Sequence, residues 1–162
     1  MSIKDQVSSE QWKALFNATS AASAYVASAS GGGLEMFKEL FSASKFMMDS
    51  IKKSSGSGYG RLVDAFLENM KGMSLKDAKE NAAKYESRDL NGMRTEAKQI
   101  VADGAAIAGT LPGGGGFKRW VLDMAREVAK TKTGGVLGIG GSSVIDEKEQ
   151  AALDELAAMM GV

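Results

Sequence analysis

Apolar residues recur at intervals of three and four positions along most of this chain, which is the spacing of one face of an α-helix. The clearest of these faces lie over residues 34–51, 62–70, 90–108, 117–128 and 152–160. Alternation of apolar and polar residues, the mark of a half-buried strand, is confined to one short stretch. The pattern therefore predicts an all-α protein, a single helical bundle of about seven helices.

Several helix starts are marked by a short polar residue followed three positions later by an acid or an amide. Pairs of this kind are Ser8 and Gln11, Ser74 and Asp77, and Asp146 and Glu149. Such side chains bond to backbone amides that would otherwise lack partners in the first helical turn. We therefore expect helices to begin at these places, and the one after Ser74 to run as far as Tyr85. Thr19 or Ser20 would cap a separate, Ala-rich helix after the first.

Glycine is frequent, with 20 residues, and many of them are bunched at 31–33, 113–116 and 134–141. Helices tend to stop at such places because glycine loses more backbone freedom than other residues when it enters a helix. The four glycines after Pro112 predict a flexible joint. Residues 136–145 have the pattern of two very short strands around a Gly-Gly turn, which predicts a minor β-hairpin.

The composition narrows the chemistry that the protein can perform. The chain has no His and no Cys, so it lacks the commonest general base, the commonest zinc ligands and every thiol. Its 20 basic residues balance 20 acidic ones, which predicts no surface for nucleic acid. We expect no cofactor and no enzymatic activity.

The length of 162 residues fits a single domain over 1–162. The stretch from Ala14 to Leu34 has no charged residue, but Ser, Thr, Asn and Gly interrupt it, so we expect no membrane span. The N-terminal residues lack the apolar stretch of a signal peptide, which favours a cytoplasmic location.

A candidate anion-binding site lies in the glycine run and the start of the helix that follows it. Its residues are Gly115, Gly116, Lys118 and Arg119, which place backbone amides and two cations at a helix start, where anions bind well. The Gly-Lys-Ser/Thr ending of a P-loop is missing. The alternative interpretation is that these glycines form only the joint.

A candidate metal site consists of Asp146 and Glu149, whose carboxylates could supply oxygen ligands to Ca²⁺ or Mg²⁺. The alternative is that both side chains cap the last helix, since acids in a first helical turn complement its dipole.

The last quarter of the chain contains a distinct order of motifs. Residues 144–149 read VIDEKE, residues 153–157 read LDELA, and Met160-Gly161 follow. In this order the run from Trp120 to Val162 resembles the closing helix–loop–helix of TerB-like domains, the all-helical family associated with tellurite resistance. The resemblance implies a stress-related role. The acidic Asp-Gly turn that the family is thought to use around a divalent metal is replaced here by residues 134–141, GGVLGIGG, so no metal ligand is carried over.

Otherwise the chain resembles small bacterial helical proteins. Its ten Met residues are of the sort used by surfaces that repack on a partner, although filling of the core explains most of them equally well. The small residues over 18–29 and 97–109 favour close helix contact between subunits, hence a homo-oligomer. The leading hypothesis is a non-enzymatic binding or interaction module. The alternative is a small-anion-binding or divalent-metal-binding protein of TerB-like type.

Overall fold

The computed structural model describes residues 2–30, 58–81, 83–133 and 145–162. These residues form helices and contain no strand, which confirms the all-α class for this part of the chain. The helices are α1 (Ile3–Gln6), α2 (Ser9–Ala27), α3 (Arg61–Lys71), α4 (Leu75–Asn81), α5 (Leu90–Gly109), α6 (Gly114–Thr133) and α7 (Glu147–Met160), and one 3-10 turn (Ser28–Ser30) follows α2.

Two predicted elements lie outside the described residues. The helix over 34–51 lies in the first gap, and the β-hairpin near 136–145 lies in the last gap except for Ile145, which is in neither a helix nor a strand. The prediction of about seven helices for the whole chain depends on these segments and stays a prediction.

Local side-chain bonds begin the helices where the sequence predicted them. Ser8 Oγ accepts from Gln11 N at 3.1 Å, and Gln11 Oε1 accepts from Ser8 N at 2.8 Å. The same reciprocal bonds join Asp146 and Glu149 at the start of α7. These three- and four-residue relations need no tertiary contact, so sequence alone reveals them.

The predicted division of the N-terminal helix at Thr19 or Ser20 is wrong, because α2 runs unbroken from Ser9 to Ala27. Thr19 Oγ1 donates to Leu15 O at 2.8 Å, one turn earlier, instead of capping a new helix. Hydroxyls in a helix interior often bond this way, and burial of the surrounding alanines stabilises the continuous helix.

The helix after Ser74 ends at Asn81, four residues before the predicted end at Tyr85. After Tyr85, a side chain from another helix binds two backbone amides. Glu96 of α5 accepts from Glu86 N at 2.8 Å and from Ser87 N at 2.7 Å. The chain at Glu86 and Ser87 is therefore held beside α5.

The glycine run after Pro112 is mostly helical, which corrects the prediction of a flexible joint. Gly113 makes the turn, with a positive φ of 86° that side chains rarely adopt. Gly114 begins α6, and a Cβ at Gly116 would lie 1.6 Å from Tyr59 O. These glycines allow the start of α6 to lie directly against neighbouring backbone.

Two helices rich in small residues, α2 and α5, pack closely within the chain. A Cβ at Gly104 would lie 2.2 Å from Ala18 Cβ, so the backbones meet where neither helix has a bulky side chain. Arg94 contacts Tyr25 further along the same pair, which shows that the helices are antiparallel. The small residues that suggested contact between subunits thus have a partner inside the protein. No helix of the described segments combines the length and the hydropathy needed to cross a bilayer.

The centre of the core is an aromatic cluster around Phe66 of α3. Its ring lies edge-on to Phe117 at 5.3 Å and to Trp120 at 5.5 Å between centroids, a favoured geometry for aromatic pairs. Phe16 and Trp12 of α2 complete the cluster, with centroids 6.5 and 6.3 Å from that of Phe66. The cluster joins α2, α3 and α6 and leaves part of Trp12 accessible to solvent.

Candidate functional site

An apolar cleft of about 230 Å³ opens to solvent where α2 lies beside α3 and α4. Its apolar lining consists of Trp12, Phe16, Phe66, Met70 and Met73, and we call it the Trp12–Met73 cleft. Phe16 and Phe66 are buried, while Trp12 and the two methionines are half-buried. Buried rings therefore underlie the cleft, and accessible aromatic and thioether groups border it.

The spacing of these residues follows from helix geometry. Trp12 and Phe16 are one turn apart on α2, and Phe66 and Met70 are one turn apart on α3, so each pair lies on one helix face. Gly72 ends α3, which brings Met73 beside the same cleft. The sequence indicated apolar faces at these positions, but it did not show that two faces would leave a space between them.

Polar residues complete the lining of this cleft, and among the described lining residues Lys13 alone carries a charge. Lys13 is exposed on α2 and makes no ion pair with any described residue. Asn81, at the end of α4, donates from Nδ2 to Asp77 O at 2.8 Å, which holds its amide in place. Ser9 and Asn69 are the remaining polar lining residues.

A second cleft of about 600 Å³ lies between α1 and α3 and is bordered by charges that cancel. Lys4 and Arg61 line it together with Asp64 and Glu68. Such a mixed surface favours neither an anion nor a cation, and most of its described lining residues are polar or charged, with no aromatic or methionine side chain among them. The Trp12–Met73 cleft is therefore the stronger candidate despite its smaller volume.

The predicted anion site is divided between different surroundings. Gly115 and Arg119 are exposed, whereas Gly116 is buried against Tyr59 O. Lys118 Nζ is 3.6 Å from the position of a Cβ on Gly109, on the α5 side of the helix. Lys118 thus lies beside α5, while the α-carbon of Gly116 lies against a neighbouring carbonyl.

Arg119 instead shares a shallow cleft of about 450 Å³ with Arg126, which lies about two turns further along the same face of α6. We call this the Arg119–Arg126 cleft. Arg126 is paired with Asp123, and Asp123 also accepts from Tyr59 Oη at 2.7 Å. Burial and this bond to Asp123 raise the pKa of Tyr59 to about 12. Sequence spacing reveals the Arg126–Asp123 pair, but not its contact with Tyr59.

The predicted metal residues Asp146 and Glu149 hold each other at the start of α7. Glu149 N donates to Asp146 Oδ1 at 2.8 Å, Asp146 N donates to Glu149 Oε2 at 3.2 Å, and Glu149 is completely buried. Within the described residues, no group of three or more acidic, His or Cys side chains is placed to hold a metal ion. The capping role accounts for the position of both carboxylates.

A polar network that the sequence did not reveal joins α2, α5 and α7. Tyr25 Oη donates to Glu155 Oε2, and Lys98 Nζ lies 3.0 Å from the same oxygen. Arg94 lies over the Tyr25 ring, 4.2 Å from its centroid, and donates to Ser28 Oγ at 2.9 Å. We call this the Tyr25–Glu155 network.

The network shifts the pKa of each member away from neutrality, which favours a neutral Tyr25, a charged Lys98 and a charged Glu155. Bonds from Tyr25 and Lys98 lower the pKa of Glu155, and the bond to Glu155 raises the pKa of Lys98. Burial and the bond to Glu155 raise the pKa of Tyr25. All three groups therefore keep one ionisation state across neutral pH.

Comparison with known proteins provides no family for this chain: no family model matches it, and no characterised protein or solved structure gives a significant match.

Proposed function

We propose that this protein is a non-enzymatic binding or interaction module and that the Trp12–Met73 cleft is its binding site. The observation that carries the proposal is an open cleft in which half-buried Trp12, Met70 and Met73 surround two buried rings. Aromatic and methionine side chains are enriched at protein interfaces because they offer large, adaptable apolar contacts.

The size of the cleft favours an anchoring side chain over a cofactor. Pockets for drug-sized ligands usually have volumes of roughly 300–1,000 Å³, whereas an engineered cavity of about 150 Å³ holds benzene. The cleft of about 230 Å³ lies between these values. One ring or branched aliphatic side chain of a partner would fill it, as anchors do in interface pockets.

The three tyrosines are poorly suited to act as general bases near neutral pH. Tyr59 and Tyr85 have pKa values raised to about 12, chiefly by burial, and the pKa of Tyr25 is also raised. A general base works best with a pKa near the operating pH, so these shifts move in the opposite direction. Lys13 remains as a charge at the cleft that can orient a partner.

The experiment that tests this function is a titration of the full chain with acetyl-phenylalaninamide, followed by the NMR signals of the methionine methyl groups. Met70 and Met73 should shift, while buried Met124 and Met160 should not. The dissociation constant for one isolated anchor should be on the order of 1 mM.

Two variants make the result specific. Met70→Gln should abolish the shifts at Met73 because it places an amide in the apolar lining. Met159→Gln is the matched control, since Met159 is also half-buried but lies on α7, outside the cleft. Equal binding by both variants, or shifts spread over the buried methionines, would refute the assignment.

The second candidate is a small-anion site at the Arg119–Arg126 cleft, favoured by the guanidinium of Arg119, which lines it beside the Arg126–Asp123 pair. Inorganic phosphate added in the same titration should then shift the side-chain signals of Arg119 and leave Met70 unchanged. Mg²⁺ or Ca²⁺ should shift Glu149 if the divalent-metal reading of α7 is correct. Neither response is expected if the Trp12–Met73 cleft is the functional site.

The TerB-like resemblance extends this proposal to a stress-related module in the bacterial cytoplasm, with the hairpin near 136–145 completing a bundle of about seven helices. A homo-oligomer is part of the same proposal. Because α2 and α5 already use their small residues on each other, subunits would have to meet through another face. A measurement of molecular mass in solution tests whether the protein forms a homo-oligomer.

A further inference from the structure

Among the described residues that line the Trp12–Met73 cleft, Lys13 is the charged one. The position of Lys13 on α2 places this side chain beside the apolar part of the lining. Lys13 follows Trp12 directly and precedes Phe16 by three positions, so it is next to Phe16 on the helix surface. A partner that inserts a side chain between Trp12 and Met70 would therefore bring its neighbouring residue close to the Lys13 ammonium.

The acids on the helices opposite Lys13 already have partners. Glu68 of α3 pairs with Lys71 at 3.1 Å, and Glu80 of α4 approaches Lys76 at 3.9 Å. Asp77 accepts from Ser74 N and Ser74 Oγ at 3.1 and 2.7 Å. Among the described residues, Lys13 has no such ion pair, so its charge is available to a ligand.

The aromatic and sulfur groups that line the cleft favour an aromatic anchor over an aliphatic one. Trp12, Phe16 and Phe66 present ring faces and edges, and Met70 and Met73 present sulfur, which interacts favourably with aromatic rings. An aromatic anchor gains these contacts in addition to burial of its surface. A cationic anchor would also be attracted to the rings, but it would be repelled by Lys13.

We infer that the Trp12–Met73 cleft binds a peptide segment that presents one aromatic side chain directly beside an acidic residue, whose carboxylate pairs with Lys13. This inference rests on the proposed function, because it names the partner of the same cleft. The aromatic ring supplies affinity by filling the cleft. The carboxylate supplies selectivity, because peptides with a basic or neutral neighbour lose the pair.

The test compares two peptides that differ in one charge, acetyl-Glu-Phe-amide and acetyl-Gln-Phe-amide, against the full chain. Binding is measured by the methyl shifts of Met70 and Met73 at low salt. The Glu peptide should bind about two- to fivefold more tightly than the Gln peptide, the range expected for an exposed ion pair. Added salt should remove the difference, because it screens exposed charges.

Lys13→Gln isolates the role of the cation. Lys13 is exposed, and Gln has nearly the same helix propensity as Lys, so the variant should fold normally. The two peptides should bind it equally, with the affinity of the Gln peptide for the parent. Lys148→Gln is the matched control, an exposed lysine on α7 whose loss changes net charge equally but should leave the preference intact.

The outcomes separate the inference from the function on which it rests. If the parent binds both peptides equally, or if Lys13→Gln keeps the preference for the Glu peptide, the acidic partner is refuted and the cleft remains a binding site. If neither peptide nor acetyl-phenylalaninamide shifts Met70 and Met73, the proposed function is refuted together with the inference.

Discussion

All three tyrosines of the chain lie in surroundings that oppose ionisation of the phenol. Burial is the largest cause in each case, and each ring also faces an acid: Glu155 for Tyr25, Asp123 for Tyr59 and Glu96 for Tyr85. A neighbouring carboxylate adds to the effect because it repels a phenolate. These contacts join distant parts of the chain and therefore depend on the folded state.

We predict that no tyrosine of the folded protein ionises near the ordinary pKa of about 10. Folded pKa values above the unfolded value mean that the unfolded chain loses its phenolic protons first. The stability from these groups is therefore complete below pH ~10 and is lost as pH rises towards the folded values. Ultraviolet absorbance of tyrosinate should rise together with unfolding. In denaturant the same groups should titrate near 10, and a tyrosine that ionises there while helix content is unchanged would contradict the prediction.

The capping and the packing of α7 can be tested separately, the first at its N-cap residue Asp146 and the second at Leu156. Asp146→Ala removes the side chain that accepts from Glu149 N and should reduce the free energy of unfolding by about 1 kcal/mol. Leu156→Ala should cost more, roughly 2–5 kcal/mol, because Leu156 is completely buried and its loss leaves a cavity. Thermal and denaturant unfolding measure both. Melting of both variants like the parent would mean that α7 is not part of the core.

At the scale of elements, the contact between α2 and α5 decides the centre of the fold. Small residues bring the two backbones together where Gly104 meets Ala14 and Ala18. A Cβ on Gly104 would lie only 3.2 Å from the backbone oxygen of Ala14. Close approach of this kind leaves no space for a methyl group unless the helices move apart. Their amphipathic patterns predict two helices, but their pairing is a property of the tertiary structure.

Gly104→Ala should therefore destabilise the protein by about 1–3 kcal/mol, as overpacked substitutions do, although alanine is the better helix former. Gly115→Ala is the matched control, because the nearest atom to its Cβ would be Arg119 Nη1 at 3.9 Å, the end of a flexible side chain. It should be neutral or slightly stabilising. Chemical denaturation of both variants measures the difference.

A double variant tests the cause of that loss. Ala18→Gly removes the Cβ that a methyl group on Gly104 would meet, so it should cost less in the Gly104→Ala background than in the parent. Additive effects of the two substitutions would show that the clash does not lie between these two residues.

At the scale of the whole molecule, the Tyr25–Glu155 network ties three helices that are far apart in the sequence. Glu155 of α7 receives a bond from Tyr25 of α2 and an ion pair from Lys98 of α5. Helices α6 and α7 also touch, but the ion pair of Glu155 lies with α5. The overall balance of charges in the sequence did not identify this partner.

We predict that Glu155→Gln lowers stability at neutral pH and that the difference disappears in acid. The folded pKa of Glu155 is lowered, so its stabilisation is present above the unfolded value of 4.5 and is lost as pH falls through the folded value. The loss should be at most about 1 kcal/mol, since both partners are 48% exposed. Unfolding measured from pH 7 down to acid tests this. Glu80→Gln, in a longer and more exposed pair with Lys76, should change stability less.

The sequence by itself determined the class of the fold and most helix starts, because capping and helical periodicity act between residues three and four positions apart. Ser8, Asp146 and the end of α3 at Gly72 follow from such local relations. Only the tertiary structure decided that Glu96 would bind the backbone after Tyr85, that Gly116 would lie under Tyr59 O, and that Tyr25 would meet Glu155 across 130 positions. The Trp12–Met73 cleft belongs to the same group. The cleft is the space left between helices from separate parts of the chain. The apolar pattern of one helix does not show which other helix will pack against it.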